Sequence, residues 1–286
     1  MRVSAEARIG GATHVVGIVG WPVEHSLSPA IHNAAFAAAG LDWVYVPLPV
    51  PPERLHAALH GLAPLGFSGA NVTMPHKTEA AGLMDHLSDD AKLLSAVNTI
   101  TVRGDELEGH NTDVTGFDRF LRRDAGFDPA GKSALVYGAG GAARACALAL
   151  GRGGLDHLTV VARAPGRAAP LESIAERVGL PVTVVGLERT EALEVDLVVN
   201  ATPVGTDSDM PFGPAPTLRA DVVVVDLLYD PPVTALQRRA REAGATPFSG
   251  LGHLLEQAGL SFELWTGAPA PLDVMSAAAI SVLAER

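Results

Sequence analysis

A glycine-rich turn between an apolar strand and a helix constrains the fold of this chain more than any other feature. A strand is predicted over 133–137, and Gly138, Gly140 and Ala143 follow it in the spacing G-x-G-x-x-A. The first glycine permits a tight turn, and the second lets the backbone approach a pyrophosphate at the next helix N-terminus. The alternative is a strand–helix connection without a ligand. In the dinucleotide interpretation, the contacts are Gly138, Ala139, Gly140, Gly141 and Ala142.

The end of the next predicted strand, over 158–162, indicates which dinucleotide is bound. An NAD site has Asp or Glu there, about 20 residues after the turn, to bind the ribose hydroxyls. Here Arg163 and Arg167 follow the strand, whereas Asp156 precedes it. Two guanidinium groups can hold a phosphate with paired hydrogen bonds. The sequence therefore favours NADP over NAD, with a solvated arginine pair as the alternative.

Strands and helices alternate along both halves of the chain, which predicts an α/β fold. The second-half strands are nearly continuous in Val and Leu, so we expect a parallel sheet buried on both faces. Two first-half strands on either side of Gly104-Asp105 are predicted to pair as a hairpin. The predicted strands are 15–20, 43–48, 68–73, 98–103, 106–110, 133–137, 158–162, 182–185, 196–201 and 222–227. The predicted helices are 28–39, 51–63, one after Pro75, 88–94, 112–124, one after the glycine-rich turn, 234–243, 252–265 and 271–285.

The charge balance bears on possible partners. There are 21 Lys and Arg against 32 Asp and Glu, giving a formal net charge of −11. We therefore expect no general attraction to nucleic acid or to an anionic membrane surface. Hydrophobic residues make up 48% of the chain, enough for a sizeable core, and no apolar run is long enough to span a bilayer.

Cys146 is the only cysteine, which fits a reducing compartment such as the cytoplasm. Its apolar neighbours predict a buried core position. No charged segment followed by a long apolar stretch opens the chain, so no signal peptide is expected, and 1–13 is expected to be a loose tail. His56 and His60 have an i,i+4 spacing that zinc sites use, but no third ligand accompanies them, so no metal is expected.

Two serines follow the first predicted strand. Ser28 is predicted as the N-cap of a helix with Pro29 at its first position, and Ser26 supplies a second hydroxyl. A helix N-terminus with two hydroxyls suits a carboxylate ligand. An ordinary helix start is the alternative, because Ser-x-Ser-Pro is common in that position.

Lys77 follows the third predicted strand, in the first turn of a helix that begins at Pro75. Open α/β sheets bind ligands at the carboxyl ends of their strands. A cation near a helix N-terminus gains nothing from the helix dipole, so its placement indicates function rather than stability. An exposed lysine without a function is the alternative. Asp113 could pair with Lys77 and oppose the fall in pKa that burial causes.

Together these segments resemble the shikimate dehydrogenase family over nearly the whole chain. The matching pieces are His25-Ser26-Leu27-Ser28-Pro29, Gly69-Ala70-Asn71-Val72-Thr73-Met74-Pro75-His76-Lys77, Ala96-Val97-Asn98-Thr99, Asn111-Thr112-Asp113, Gly138-Ala139-Gly140-Gly141-Ala142, Asn200-Ala201-Thr202 and Gly250-Leu251-Gly252-His253-Leu254-Leu255-Glu256-Gln257. Each piece is modest, but their joint order and spacing are highly specific.

The resemblance implies an oxidoreductase that reduces 3-dehydroshikimate to shikimate with NADP, in aromatic amino-acid biosynthesis. It implies a substrate domain over 1–112 and 250–286, a Rossmann-like NADP domain over 113–249, and a monomer or homodimer. Lys77 and Asp113 are the implied catalytic pair. The implied substrate-binding residues are Ser26, Ser28, Asn71, Thr73, Asn98, Tyr229 and Gln257, and Thr202 and Gly250 join Arg163 and Arg167 at the cofactor.

The sequence departs from the family pattern at the adenosine phosphate. Members that use NADP often have Asn-Arg-Thr after the second Rossmann strand, whereas this chain has Ala162-Arg163-Ala164. Weaker discrimination against NAD is therefore an open alternative. Quinate or quinate/shikimate dehydrogenases often prefer NAD and have an acidic residue at the Arg163 position. An aminoshikimate-type dehydrogenase and a non-catalytic NADP-sensing protein are further alternatives; the latter is disfavoured because Lys77 and Asp113 are both present.

Overall fold

The computed structural model describes residues 9–187, 194–205 and 217–286. Most of the predicted N-terminal tail therefore lies outside the described residues. Contacts divide the chain into two compact units, the first running to Thr112 and resuming at Gln257–Arg286, the second being Asp113–Glu256. Within the described ranges, no helix is both long and apolar enough to cross a membrane.

The first unit is built on a mixed sheet of six strands in its described residues. The strands are β1 His14–Gly20, β2 Trp43–Pro49, β3 Phe67–Val72, β4 His86–Leu87, β5 Thr99–Arg103 and β6 Glu106–His110. Their order is β2-β1-β3-β5-β6-β4; β1 is parallel to β2 and β3, whereas β5 is antiparallel to β3 and β6. The predicted hairpin is confirmed, with Arg103 opposite Glu106 and Gly104 at a φ of +63°. Glycine adopts that angle without strain.

Helices cover the first sheet. They are α1 Ser28–Ala38, α2 Leu55–His60, α3 Lys77–Ala81, α4 Asp89–Leu94 and, after the second unit, α10 Leu272–Ala284. On α1, Ile31, Ala35 and Phe36 recur at helical spacing and are buried. A second apolar cluster places Leu55 and Leu59 of α2 against the sheet. Both helices thus turn one apolar face to the core.

The described part of the second unit contains a six-stranded parallel sheet, which confirms the prediction from its Val and Leu content. The strands are β7 Ser133–Tyr137, β8 His157–Val161, β9 Val182–Val185, β10 Leu197–Asn200, β11 Val223–Asp226 and β12 Thr246–Ser249, in the order β12-β11-β10-β7-β8-β9. The helices are α5 Asp113–Arg123, α6 Gly141–Arg152, α7 Ala169–Arg177 and α8 Ala235–Glu242, and α9 Leu251–Thr266 begins in this unit. Cys146 is buried, as predicted, and burial raises the pKa of its thiol.

Among the α-helices and strands of the described residues, three have no predicted counterpart: β4, α7 and β12. β4 is only two residues long. α7 begins with Pro170 in its first turn, a position where proline needs no hydrogen-bond partner. β12 contains Pro247 and is an edge strand, where proline is tolerated but weakens a strand prediction.

The start of α9 lies with the second unit, although the predicted domain boundary placed residues from 250 onward with the first. A Cβ on Gly252 would lie 2.6 Å from the Phe120 ring, so helix and ring approach closely. The His253 ring lies edge-on to Phe117, with centroids 5.8 Å apart. These contacts attach the first turn of α9 to α5.

Candidate active site

Strand direction brings the predicted substrate-binding segments of the first unit to one edge of its sheet. Val19 of β1 is opposite Val72 of β3 in parallel register, so both strands end at this edge. Because β5 is antiparallel to β3, it begins there, directly after Asn98. The segments that hold Ser26, Ser28, Thr73, Lys77 and Asn98 all leave or enter the sheet at this edge. Ligands bind at this end of the parallel strands in open α/β sheets.

The predicted N-cap role of Ser28 is wrong. α1 begins at Ser28 itself, and Leu27 occupies the cap position without a side-chain cap. Leu27 has helical backbone angles, φ −80° and ψ −14°, whereas a serine N-cap requires an extended residue. Ser26 Oγ instead accepts a hydrogen bond of 3.2 Å from the Ser28 N–H. Both hydroxyls still lie at the N-terminus of a helix without an acidic residue in its first turn, which suits an anion.

Asn71 is the centre of a buried polar network. Its Oδ1 accepts a hydrogen bond of 2.8 Å from the Tyr45 phenol. Its Nδ2 donates to the Asn98 carbonyl over 3.0 Å and to Ser261 Oγ over 3.0 Å. Burial raises the pKa of Tyr45, and its hydrogen bond with Ser28 only partly opposes that shift, so the phenol keeps its proton and donates it. The network fixes the Asn71 amide inside the first unit.

Asn98 and Gln257, predicted from distant parts of the chain, lie side by side in the first unit. Asn98 Nδ2 donates to Gln257 Oε1 over 3.3 Å and to Thr112 Oγ1 over 2.9 Å. Asn98 Oδ1 accepts from the Thr112 N–H over 2.8 Å. Both amide groups therefore have fixed orientations, as a site that selects hydroxyl positions requires.

Lys77 is held through its backbone. α3 begins at Lys77, not at Pro75 as predicted, because Pro75 belongs to the turn before it. The preceding His76 is 1% exposed, and its Nε2 lies 2.7 Å from the Val50 carbonyl oxygen. The Lys77 carbonyl accepts a hydrogen bond of 2.9 Å from the Val97 N–H. The partly buried Lys77 side chain thus extends from an anchored segment at the ligand-binding edge.

The glycine-rich turn of the second unit has the predicted strand–turn–helix geometry. Gly138 has a φ of +105°, and a Cβ there would lie 2.9 Å from Thr202 Cγ2. α6 begins at Gly141, with no side-chain cap from Gly140 and no acidic residue in its first turn. A Cβ on Gly140 would have nothing within 4 Å. The space beside Gly140 is therefore open, and the α6 N-terminus has no competing carboxylate, as a pyrophosphate site requires.

Arg163 and Arg167 are the two arginines of the predicted phosphate clamp. Both follow β8 and are exposed, and Arg167 ends a short 3-10 turn over Pro165–Arg167. Residues 162–168 contain no Asp or Glu. The segment after the second Rossmann strand is therefore basic, which favours a phosphate over a ribose diol.

Thr202, Tyr229 and Gly250 follow three neighbouring strands, β10, β11 and β12. Asp226, the fully buried last residue of β11, was not predicted from the sequence; it accepts hydrogen bonds from Asn200 and Thr234. The available signal was a carboxylate directly after three valines in Val223–Asp226. Burial raises the pKa of Asp226, and its hydrogen bonds oppose the shift.

Asp113 is the first residue of α5 and is 6% exposed. A carboxylate in this position is stabilised by the positive end of the helix dipole. The Asp113 carbonyl oxygen lies 3.2 Å from His253 Nε2. Asp113 and His253 both belong to the second unit, so α5 and the start of α9 fix the backbone of Asp113.

The histidine pair of α2 stays an isolated pair in the described structure. The ring centroids of His56 and His60 are 4.3 Å apart. Among the residues that the structure describes, no group of three His, Cys, Asp or Glu is arranged to hold a metal ion.

One α/β unit with a polar ligand edge and one parallel α/β unit with a dinucleotide turn define a two-domain, cofactor-dependent dehydrogenase. Residues 18–100 match the family model of the shikimate dehydrogenase substrate binding domain, and 250–280 match the shikimate 5'-dehydrogenase C-terminal domain. The chain is 45% identical to the shikimate dehydrogenase (NADP(+)) of Methanopyrus kandleri, over 98% of this chain and 100% of that relative. The chain belongs to the shikimate dehydrogenase family.

Solved structures give the same fold. A shikimate dehydrogenase in complex with NADP+ superposes with a TM-score of 0.90 at 38% identity, covering 96% of this chain and 98% of that one. A quinate dehydrogenase from Corynebacterium glutamicum in complex with NAD superposes with a TM-score of 0.86 at 31% identity, covering 94% and 99%. The fold is therefore shared by enzymes with different ring substrates and cofactors, and individual residues must decide between them.

Proposed function

We propose that this chain catalyses the NADP-dependent, reversible reduction of 3-dehydroshikimate to shikimate, a step of aromatic amino-acid biosynthesis. The observation that carries the proposal is the convergence of the Ser26–Ser28 helix start, Lys77 and Asn98 at one ligand-binding sheet edge. The sequence similarity to the shikimate dehydrogenase (NADP(+)) of Methanopyrus kandleri, which extends over nearly the full length of both chains, supports the proposal.

The polar groups of the first unit suit a carboxylated, hydroxylated ring. Ser26 and Ser28 offer hydroxyls to the ring carboxylate at a helix N-terminus. Thr73, Asn98 and Gln257 are proposed for the ring hydroxyls, and the Asn98 and Gln257 amides are already in contact. Asn71 and Tyr229 complete the proposed substrate set.

Lys77 is proposed as the group that transfers the proton. Bound NADPH supplies the hydride that ketone reduction requires. As the carbonyl oxygen gains negative charge, the Lys77 ammonium stabilises it and donates a proton, and in the reverse direction the amine accepts that proton. Asp113 is the proposed second member of the catalytic pair, and it lies at the N-terminus of α5, where the helix dipole favours a carboxylate.

The second unit is proposed to hold NADP in two places. The pyrophosphate lies against the glycine-rich turn, Gly138 to Ala142, where the space beside Gly140 is open. Arg163 and Arg167 hold the adenosine phosphate. Thr202 and Gly250 are further proposed contacts from the neighbouring strand ends.

Quinate dehydrogenase is the rival that the shared fold leaves open. An NAD-preferring relative needs an acceptor for two ribose hydroxyls after the second Rossmann strand. Residues 162–168 supply two arginines and no carboxylate. This local charge is the observation that favours NADP and the shikimate branch.

A steady-state assay tests the proposal directly. Purified protein is incubated with shikimate or quinate, each with NADP or NAD, and reduced cofactor is followed by absorbance. Efficient turnover is expected only with shikimate and NADP. Comparable turnover of quinate or a preference for NAD would move the enzyme to the quinate branch, and no turnover with any pair would contradict the proposal.

We further propose that the ligands are small molecules only and that the protein is cytoplasmic. The net charge of −11 supports the first statement, and the lone, buried Cys146 supports the second. A monomer or a homodimer is expected, and light scattering coupled to gel filtration distinguishes the two.

A further inference from the structure

Asn200 and Asp226, the last residues of β10 and β11, form a buried pair in the second unit. They are opposite each other in the parallel register, and both are fully buried. Asn200 Nδ2 donates a hydrogen bond of 2.9 Å to Asp226 Oδ1. The preceding residues of β11 are valines, so packing at this place does not require a carboxyl group.

Asp226 also holds the connection that follows it. The Leu228 N–H donates to its Oδ1 over 3.1 Å. The Thr234 hydroxyl, at the N-cap of α8, donates to its Oδ2 over 2.6 Å. One carboxyl group therefore fixes both ends of the connection that contains Tyr229.

Asn200 holds the segment after β10 in the same way. Its Oδ1 accepts hydrogen bonds from the N–H and the hydroxyl of Thr202, over 3.1 and 2.8 Å. Its Nδ2 also donates to the Val204 carbonyl over 3.1 Å. Thr202 in turn packs against the glycine-rich turn, because a Cβ on Gly138 would lie 2.9 Å from its methyl group.

The pair thus supports several proposed ligand contacts at once. Besides the segments of Thr202 and Tyr229, the pair also supports Gly250 through Leu228. The Leu228 N–H is bound to Asp226, and the Gly250 N–H donates to the Leu228 carbonyl over 3.0 Å. Burying a carboxyl group among neutral donors costs free energy that a fourth valine would not. Stability alone therefore does not account for Asp226.

We propose that Asp226 and Asn200 form one positioning unit, which holds the Thr202 segment and the Tyr229 segment in a single arrangement. The inference rests on the proposed function, since it takes Thr202 as a cofactor contact and Tyr229 as a substrate contact. Asp226 acts through these segments and is not a catalytic residue. The loss of Asp226 should therefore weaken the binding of both the cofactor and the substrate.

Replacement of Asp226 by Ala and by Asn tests the proposal. Asp226→Ala removes the acceptor of three hydrogen bonds, so the Kd for NADP and the KM for shikimate should each rise at least about tenfold. Asp226→Asn keeps an oxygen for Asn200 and Leu228, and its amide can donate to Thr234 Oγ1. It should therefore restore both constants to within about threefold of the wild type. The Kd is measured by fluorescence titration with NADP alone, independently of turnover.

Val198→Ala is the matched control, because Val198 is a fully buried core residue of β10. It should lower Tm but leave both constants unchanged. If Asp226→Ala behaves like Val198→Ala, or raises only one constant, the inference is overturned.

A second variant covers the case in which Asp226→Ala does not fold. Thr234→Val removes one hydrogen bond to Asp226 and should raise the Kd for NADP and the KM for shikimate about threefold. Unchanged constants would again overturn the inference. Absence of turnover in the wild type would overturn the proposed function, and the NADP Kd values would then decide the inference alone.

Discussion

The imidazole of His32 stacks on the phenol ring of Tyr45, with ring centroids 4.6 Å apart and planes inclined by 6°. Both residues are buried, and neither imidazole nitrogen has a hydrogen-bond partner among the described residues. Burial lowers the pKa of His32 to about 3, because an imidazolium ion here would lose its hydration. The packing of α1 against β2 therefore depends on a neutral histidine.

Acidification should destabilise the first unit through His32. The unfolded chain takes up a proton near the ordinary pKa of 6.5, whereas the folded chain does so only near 3. The contribution of neutral His32 to the free energy of unfolding is therefore complete above pH 6.5. It falls by about 1.4 kcal/mol per pH unit as the pH decreases towards 3. His32→Phe keeps a stacked ring without a titrating group, so it should lose stability less steeply. Urea unfolding of both proteins at a series of pH values measures the difference, and identical slopes would contradict the prediction.

Gly69→Ala should destabilise the first unit severely. A Cβ on Gly69 would lie 2.3 Å from the Ile100 carbonyl oxygen and 2.4 Å from Trp265 Nε1. These two atoms are joined by a hydrogen bond of 2.9 Å, so the new methyl group would separate them. Overpacking and the lost hydrogen bond should together cost about 2–4 kcal/mol in the free energy of unfolding.

Gly82→Ala is the control for Gly69→Ala. A Cβ on Gly82 would meet nothing closer than the Glu79 carbonyl oxygen at 3.5 Å. Chemical denaturation should therefore show a near-normal midpoint for Gly82→Ala and a much lower one for Gly69→Ala. Similar midpoints for the two variants would mean that Trp265 can move away from position 69 without loss of stability.

Local sequence patterns predicted most of the fold. The parallel sheet of the second unit follows from continuous Val and Leu, and the turn at Gly138 follows from the strand before it and the helix after it. β12 was not predicted because Pro247 interrupts a short edge strand. The N-cap of α1 was assigned to Ser28 instead of Leu27, because Leu27 adopts helical angles that residue preferences do not encode.

The candidate site was less accessible to local reasoning. The place of Lys77 at a strand end was predicted from its own segment. The Asn200–Asp226 hydrogen bond joins residues 26 positions apart and exists only once β10 and β11 pair in register. Polar networks of this kind depend on long-range strand pairing, which no local pattern specifies.

Lys77→Ala should lower kcat at least about a hundredfold, the effect expected for loss of a general acid. The KM for shikimate should change much less, because the proposed carboxylate and hydroxyl contacts stay in place. Lys92→Ala removes the same charge from an exposed position on α4 and is the control. Steady-state kinetics of the three proteins decide the point. Near-normal turnover in Lys77→Ala would exclude the proposed proton transfer.

Arg163→Ala should weaken NADP binding far more than NAD binding. A charge-assisted hydrogen bond to a phosphate contributes about 1.5–3 kcal/mol, so the Kd for NADP should rise about tenfold to a hundredfold. NAD lacks the adenosine phosphate, and its Kd should stay within about twofold of the wild type. Arg177→Ala, an exposed arginine at the end of α7, controls for a general loss of positive charge. If Arg163→Ala raised the Kd for NADP and for NAD equally, the adenosine phosphate would lie away from Arg163. If Arg177→Ala also raised the Kd for NADP, the overall positive charge, rather than a clamp, would attract NADP.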